Sequence, residues 1–219
     1  MAFKNTNTSQ IENLHEIYNN IFPDNTNGKF IEIGAYDGYR WSNTVPLIQE
    51  GWSGVMIEPV PRYYNGCKDR YLNNPKIQVY NCCIGKHNNP QQKVYLGGPC
   101  TTILESMVEL SRNHDPRDGH DLNNYIESPC YTLDTFLHEK NIQNFDLLSI
   151  DVEGAEWDIL INFDIKKYNP KMAIVEVHEK HHLSWKRESG NFELINKYFI
   201  DNGYTYLYGD DINSIWVLN

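Results

Sequence analysis

Residues 30–38 read FIEIGAYDG, an apolar run that stops at Gly34 with the carboxyl groups of Glu32 and Asp37 on either side. Glycine allows backbone angles and close approaches that a side chain would block, so the pattern is typical of a strand that turns sharply into a helix. Residues 145–156, FDLLSIDVEGAE, repeat the pattern with Asp151 close to Gly154. Ligands of open α/β sheets bind at the carboxyl ends of strands. The two stretches therefore predict a cofactor at the first strand end and chemistry at the second.

Strands and helices alternate along most of the chain. Hydrophobic periodicity predicts strands over 29–34, 54–58, 77–84, 92–96, 146–151 and 171–177. It predicts helices over 9–21, 41–49, 62–72, 132–140, 153–160 and 192–202. Two final strands, 204–208 and 214–218, flank a Gly-Asp-Asp turn and should form an antiparallel hairpin. The alternation predicts an α/β fold with a largely parallel sheet, in a single domain over residues 1–219.

Residues 97–130 interrupt this alternation. They are rich in glycine and proline and contain one weak helix signal near 102–110. Irregular segments of this length inside a compact domain are usually functional or disordered. We therefore expect 97–130 to be an insertion or a lid loop, while residues 1–27 contribute an N-terminal helix.

Composition narrows the class of partner. The formal net charge of -10 argues against binding to a nucleic-acid backbone or to an anionic membrane surface, because both need a basic face. The five cysteines include no CxxC pair, which indicates a reducing compartment and a cytoplasmic protein without disulfides. No secretory signal is recognisable, and no apolar stretch reaches the ~20 residues of a membrane span.

The first strand end favours a cation over a diphosphate. Only Gly34 and Gly38 are present, so the GxGxxG pattern is missing, as is the lysine of a phosphate-binding loop. Glu58 ends the second strand about 24 residues after Gly34, a distance at which a carboxylate can accept from both hydroxyls of a ribose. S-adenosylmethionine, with a ribose, a sulfonium and an ammonium but no phosphate, fits better than NAD. The alternative is a plain tight turn with a surface acid at the strand end.

Four blocks of this sequence resemble the FkbM family of S-adenosylmethionine-dependent methyltransferases. They are FIEIGAYDG at 30–38, WSNT at 41–44, GWSGVMIEP at 51–59 and LLSIDVEGAEWDIL at 147–160, and the resemblance extends over roughly residues 28–180. It implies a class I methyltransferase (Rossmann-like) fold, whose seven-stranded sheet has an antiparallel last strand and helices on both faces. It also implies O-methylation of a hydroxyl on sugars, polyketides or other small molecules.

The resemblance also implies roles for individual residues. The loop around the methionine end of the cofactor would be formed by Glu32, Gly34, Ala35, Asp37 and Gly38, with Ser42 and Asn43 at the start of the next helix. Glu58 would hold the ribose, with Pro59 beside the adenine and Asp151 at the active-site end of the fourth strand. The adenine would also meet Cys83, in a region where many class I enzymes carry an acidic residue.

The second strand end predicts the catalytic groups. Asp151 ends an apolar strand, where a carboxylate is costly without partners, and the next strand ends in Glu176 and His178. If these strands are neighbours, their ends lie ~5 Å apart. We therefore expect His178 to act as general base, with Asp151 orienting it or the acceptor.

The acidic residues around Asp151 leave two further interpretations open. A metal version uses Asp151, Glu176 and His178 to hold Mg²⁺ or Mn²⁺, which would lower the pKa of the acceptor hydroxyl. If the helix starts near Glu153, then Glu153 and Glu156 share one of its faces, and both could simply stabilise the helix start.

The leading function is an S-adenosylmethionine-dependent O-methyltransferase that acts on a hydroxyl of a sugar, a glycan or a related small molecule. One alternative is a noncatalytic Rossmann-like binding subunit, and another is a methyltransferase with a polyketide or lipid acceptor. A nicotinamide oxidoreductase is disfavoured by the missing GxGxxG pattern. The expected partners are the acceptor and, in a homodimer, a second copy of the chain.

Overall fold

The computed structural model describes residues 2–24, 27–112, 121–177 and 191–219. The strands are β1 Lys29–Ile33, β2 Ser53–Ile57, β3 Ile77–Tyr80, β4 Cys83–Ile84, β5 Asn89–Tyr95, β6 Tyr125–Tyr131, β7 Leu147–Ile150, β8 Met172–Glu176, β9 Tyr204–Gly209 and β10 Asn213–Leu218. The α-helices are α1 Leu14–Ile21, α2 Val45–Gln49, α3 Pro61–Arg70, α4 Glu105–Arg112, α5 Leu133–Glu139, α6 Glu156–Leu160, α7 Ile165–Tyr168 and α8 Asn191–Asp201. Across these ranges, strands and helices alternate as the sequence predicts.

Seven of the described strands form the main sheet in the order β3-β2-β1-β7-β8-β10-β9. All pairs from β3 to β8 are parallel, and β10 runs antiparallel to both β8 and β9. The expected class I arrangement, with its closing antiparallel hairpin, is therefore confirmed. The order reverses between β1 and β7, where Ile33 is in register with Ile150. The two glycine-marked strand ends thus lie side by side, at the position where open sheets bind ligands.

Helices cover both faces of the sheet because successive side chains of each strand point to opposite sides. Ile31 and Ile33 pack with Phe136 of α5 and Ile159 of α6 in one core cluster. Phe30, which precedes Ile31 and points to the opposite face, packs in a second cluster, which contains residues of α1, α2 and α3. The N-terminal segment before α1 joins this second cluster through buried side chains, including Phe3 and Ile11. Within the four described ranges, none of the helices combines the length and the apolarity that a bilayer crossing would require.

A second sheet with the order β4-β6-β5 lies beside the main one and corrects two predictions. The predicted strand 77–84 is two strands, because the Asn81 amide donates to the backbone carbonyls of Glu58 and Pro59 and the chain leaves the main sheet there. The segment 97–130 is not irregular throughout, since it contains α4 and most of β6. Asn89 to Tyr95 pairs with β6, so the short strand predicted at 92–96 belongs to this sheet.

Three helices begin later than predicted. The helix expected over 153–160 starts at Glu156, because Glu153 and Gly154 have positive φ angles of 58° and 100° that a right-handed helix excludes. Glu153 and Glu156 therefore do not share a helix face. The helices expected from residues 41 and 9 start at Val45 and Leu14, in both cases after a turn that contains a positive-φ residue.

Candidate active site

The turn after β1 has room for glycine alone at position 34. Gly34 has a φ of +88°, and a Cβ atom built on it would lie 1.6 Å from the backbone oxygen of Asp151. The N–H groups of Gly34 and Ala35 both donate to the carbonyl oxygen of Ile57, at 3.0 and 3.1 Å. The Asp151 N–H donates to Ile33 across the β1–β7 junction. Hydrogen bonds thus join the ends of β1, β2 and β7 around Gly34. The absence of a side chain at Gly34 leaves an open space beside these strand ends.

Glu32 holds the segment Ser42–Thr44 in place through hydrogen bonds. Its two carboxylate oxygens accept hydrogen bonds from the hydroxyls of Ser42 and Thr44, each at 2.8 Å. Burial raises the pKa of Glu32 to about 7, although these hydrogen bonds act in the opposite direction. The Tyr18 hydroxyl donates to the backbone oxygen of Asn43, whose side chain donates to Ser149 in β7. The polar groups of this segment are therefore held in place from three sides.

Glu58 stands at the end of β2 with its carboxylate fixed by backbone donors. The N–H of Tyr36 donates to Oε2 at 2.9 Å, and the N–H of Val60 donates to Oε1 at 2.8 Å. Burial raises the pKa of Glu58 to about 7, against the lowering effect of these two hydrogen bonds. Each carboxylate oxygen has two lone pairs, so the group retains acceptor capacity on the cavity side.

Three carboxyl groups converge where β7 and β8 end. These strands are parallel neighbours with Ile150 opposite Val175, so the next residues, Asp151 and Glu176, lie side by side as expected. One oxygen each of Asp151, Glu153 and Glu176 falls within 4.8 Å of the others. Burial raises the pKa of Asp151 well above its usual range, and the charge and hydrogen bond of Glu176 raise it further. The arrangement can retain a proton at neutral pH or bind a cation.

A cavity of about 300 Å³ is lined by the Gly34 turn, by Glu58 and by the carboxyl groups at the ends of β7 and β8. Of the cofactor residues expected from the sequence, nine line it: Glu32, Gly34, Ala35, Ser42, Asn43, Glu58, Pro59, Cys83 and Asp151. Glu176, expected as a metal ligand, lines it as well. His178, the expected general base and metal ligand, lies outside the described residues. A cavity of this size is at the lower end of the range for small-molecule sites.

Asp37 and Gly38 do not line the cavity, in contrast to the expectation. The Asp37 carboxylate accepts from the N–H groups of Tyr39 and Arg40 and so closes its own turn. Gly38 turns away toward α3, where a Cβ would approach the sulfur of Cys67 to 2.6 Å and where its carbonyl accepts from the Tyr71 hydroxyl. Both residues shape the loop without facing the open space.

Several lining residues are absent from the predicted site. Gln10, Arg40 and Trp41 contribute from the N-terminal side, Tyr63 from α3, and residues 98–103 from the segment before α4. The sequence marks 98–103 only as part of an irregular stretch. Contacts with residues 151–156 hold this segment at the cavity, since the Thr102 hydroxyl donates to the Glu153 carbonyl at 2.9 Å and Met107 packs on Gly154. No signal in the sequence indicates Gln10.

These residues fit S-adenosylmethionine. The Gly34 turn provides a backbone surface that any Cβ would fill, and Glu58 offers oriented acceptors suited to a ribose. The carboxyl groups at both ends of the cavity are compatible with a sulfonium and an ammonium. A diphosphate would meet Glu32, Glu58 and Asp151 with no glycine-rich nest of N–H donors to offset the repulsion.

A family comparison identifies the chain. The family model described as Methyltransferase FkbM domain matches residues 32–206, from the middle of β1 into β9. The chain belongs to the FkbM methyltransferase family. This is the family that the four sequence blocks resemble. No curated protein sequence matches it significantly.

Solved structures share the fold of this FkbM protein at low sequence identity. One is the methyltransferase FkbM from Methylobacillus flagellatus, with 13% identity, a TM-score of 0.54 and coverage of 87% of this chain. The chain spans 43% of the length of that protein. An O-methyltransferase from Bacillus cereus, solved in complex with SAH, has 11% identity and a TM-score of 0.52, with coverage of 97% and 85% of the two chains. The METTL16 methyltransferase domain has 12% identity and a TM-score of 0.53, covering 100% and 71%.

Proposed function

We propose that this protein is an O-methyltransferase that uses S-adenosylmethionine to methylate a hydroxyl of a sugar, a glycan or a related small molecule. The observation that carries the proposal is the single cavity in which the Gly34 turn and Glu58 meet the Asp151–Glu176 pair. The side formed by the Gly34 turn and Glu58 can bind the nucleoside and the positively charged methionine part of the cofactor. The side formed by Asp151 and Glu176 can accept a proton.

The cofactor, when bound, supplies the electrophilic methyl group. Gly34 and Ala35 would pass under its methionine end, and Asn43 would hold the polar groups there because its own orientation is fixed by Ser149. Glu58 would accept from the ribose hydroxyls, while Pro59 and Cys83 would border the adenine. Residues 98–103 would act as the lid over this site, since they line the cavity from the opposite side.

A hydroxyl that is methylated must lose its proton. The Asp151–Glu176 pair offers an acceptor whose affinity for protons is raised by burial and by the shared negative charge. In the original hypothesis His178 takes the proton and Asp151 orients it. His178 follows Glu176 by two residues, so in both versions the proton would be transferred where β7 and β8 end.

Substitution at these two positions tests the assignment. We expect His178→Ala to lower the turnover number at least ~tenfold and Asp151→Asn about 100-fold, because general acid–base groups contribute in this range. Affinity for S-adenosylhomocysteine should stay within a few-fold of the original for His178→Ala. Unchanged turnover in His178→Ala would refute the role of His178 as the general base. The Asp151–Glu176 pair would then be the group that accepts the proton.

A divalent cation is the second possibility for the same end of the cavity. The convergence of Asp151, Glu153 and Glu176 supports oxygen ligands for Mg²⁺ or Mn²⁺, with Glu153 added to the set expected from the sequence. The ion would lower the pKa of the acceptor hydroxyl. Exhaustive EDTA treatment distinguishes the two mechanisms: full activity afterwards eliminates the metal, whereas loss with recovery on adding Mn²⁺ supports it.

Calorimetry with S-adenosylhomocysteine tests the proposed function as a whole. Binding, with density for an acceptor within methyl reach of the sulfur in a cocrystal, supports the enzyme. A folded protein that does not bind S-adenosylhomocysteine contradicts the proposal and favours the noncatalytic binding subunit. A lipid or polyketide acceptor in the same density would keep the reaction and change the substrate.

The absence of any CxxC pair among five cysteines supports a cytoplasmic enzyme.

A further inference from the structure

Strained backbone is concentrated around the cavity. Among the described residues, eight other than glycine have a positive φ angle, and five of them are asparagine, which tolerates this region. The remaining three are Tyr36, Trp41 and Glu153, with φ angles of 49°, 58° and 58°. All three line the cavity. Bulky residues keep such angles only where the surroundings enforce them, and these positions cluster at binding sites.

Trp41 is the most exposed large aromatic residue of this set. The residue is 44% exposed although it lines the cavity, and its ring centroid lies 5.9 Å from that of Tyr36. The segment that follows, Ser42–Thr44, is held by hydrogen bonds to Glu32, Tyr18 and Ser149. An exposed indole at a cavity mouth offers a flat apolar face with a polar N–H at its edge. A ring with apolar C–H faces and hydroxyl edges complements such a surface.

The N-terminal arm, residues 2–13, adds a polar group to the same cavity. The Thr8 hydroxyl donates to the backbone oxygen of Ser42, and the Ser9 hydroxyl donates to the Asn43 side chain at 2.6 Å. These contacts hold the arm against the cofactor side, and Gln10 lines the cavity. The Asn213 amide reaches Gln10 Oε1 at 3.5 Å, a long contact that a better partner can replace.

Gln10 lies outside the residues that define the family. The family match begins at Glu32 and ends at residue 206, and of the cavity lining only Gln10 and Ile212 fall outside it. The residues suited to the cofactor all lie inside it. A group that differs from the shared cofactor machinery but faces the same space is suited to recognise the variable partner of the reaction, which is the acceptor.

We propose that Trp41 and Gln10 form an acceptor subsite for a neutral pyranose ring, which lies on the Trp41 indole and is hydrogen-bonded by the Gln10 amide. The inference rests on the proposed function and names the residues that select its substrate. The amide suits hydroxyl groups because it can donate and accept at once. Trp41 and Gln10 carry no charge themselves. Arg40 is the one Lys, Arg or His among the described lining residues, and its side chain is 70% exposed with Nε 4.0 Å from Asp37.

The first part of the experiment uses tryptophan fluorescence. The full-length protein, saturated with S-adenosylhomocysteine, is titrated with methyl glycosides of glucose, galactose, mannose and rhamnose. We expect at least one glycoside to change the tryptophan emission of the wild-type protein and of the Trp157→Phe variant. The same glycoside should leave the emission of the Trp41→Phe variant unchanged. Trp157 is the matched control because it packs on Tyr198 away from the cavity lining.

The second part separates acceptor binding from cofactor binding by calorimetry. Trp41→Asn removes the ring but keeps a residue that tolerates positive φ, so it should fold and lose about tenfold or more in glycoside affinity. Trp41→Phe should retain most of the affinity, and Gln10→Ala should lose about fivefold. The exposed Gln49, which does not line the cavity, gives the control Gln49→Ala.

The outcomes separate this inference from the proposed function. Unchanged affinity for S-adenosylhomocysteine in all variants, with the losses above, supports the subsite. A tenfold loss of S-adenosylhomocysteine affinity in Trp41→Asn overturns it, because the ring then holds the cofactor. Normal cofactor binding without a response to any glycoside also overturns it and leaves the methyltransferase intact. Absence of cofactor binding in the original protein contradicts the proposed function itself.

Discussion

Replacement of Gly34 by alanine should lower the affinity for S-adenosylhomocysteine by about 100-fold or more, which corresponds to about 2.7 kcal/mol of binding free energy. The alanine Cβ would lie 1.6 Å from the Asp151 backbone oxygen, far inside any tolerated contact. The neighbouring atom is backbone, so relief requires that β1 and β7 move apart at the point where the cofactor is expected. The positive φ of 88° adds strain that a side chain increases. Calorimetry with S-adenosylhomocysteine measures the loss.

Gly66 provides the matched control for this substitution. It lies within α3, and a Cβ built on it meets no atom within 4 Å. Gly66→Ala should bind S-adenosylhomocysteine normally and raise the free energy of unfolding by up to about 1 kcal/mol, because alanine is the better helix former. Near-normal cofactor affinity in a folded Gly34→Ala protein would contradict the assignment of the cofactor to this turn.

Substitution of Glu58 should have the second largest effect on cofactor affinity, a loss of about 50-fold in affinity for S-adenosylhomocysteine for Glu58→Ala. The change removes the proposed ribose acceptor and also leaves the Tyr36 and Val60 N–H groups without their partner. Glu58→Gln keeps one acceptor oxygen and should lose less. Glu139, exposed on α5, supplies the control Glu139→Ala. Equal affinity in Glu58→Ala and the control would remove Glu58 from the site.

The pH dependence of binding provides an independent check on Glu58. Its pKa in the folded protein is raised from 4.5 to about 7, so it ionises as the pH rises from 6 to 8, and the affinity for S-adenosylhomocysteine should rise with it. The free energy of unfolding without cofactor should change in the opposite direction. Between pH 4.5 and 7 the folded chain binds more protons than the unfolded chain, so stability decreases as pH increases. Glu32, with a pKa also raised to about 7, contributes in the same sense.

The sequence predicts the part of the site that lies at strand ends. The apolar runs before Gly34, Glu58, Asp151 and Glu176 are long enough to mark β1, β2, β7 and β8, and parallel strands place their ends at one edge. Local patterns therefore suffice for the sheet and for most of the expected cofactor residues.

The rest depends on contacts between distant segments. Asn81 ends β3 through hydrogen bonds to Glu58 and Pro59, which no periodicity reveals. The start of α6 is delayed because the Glu156 carboxylate accepts from the N–H groups of Val152 and Gly154, which stabilises a turn where the pattern favours a helix. Gln10 is held at the cavity by contacts of its neighbours with distant residues, among them the hydrogen bonds of Thr8 and Ser9 to residues 34 positions away.

The attachment of the chain's first dozen residues to the rim of the cleft has an evolutionary consequence. If Gln10 contacts the acceptor as proposed, exchange of this short stretch between homologues would change that contact, while Trp41 and the cofactor residues, all within 32–206, would stay untouched. Sequence change in this stretch would thus offer a route to new acceptors without any change in methyl-transfer chemistry. In the laboratory, chimaeras that exchange only this stretch are a direct way to redirect the enzyme.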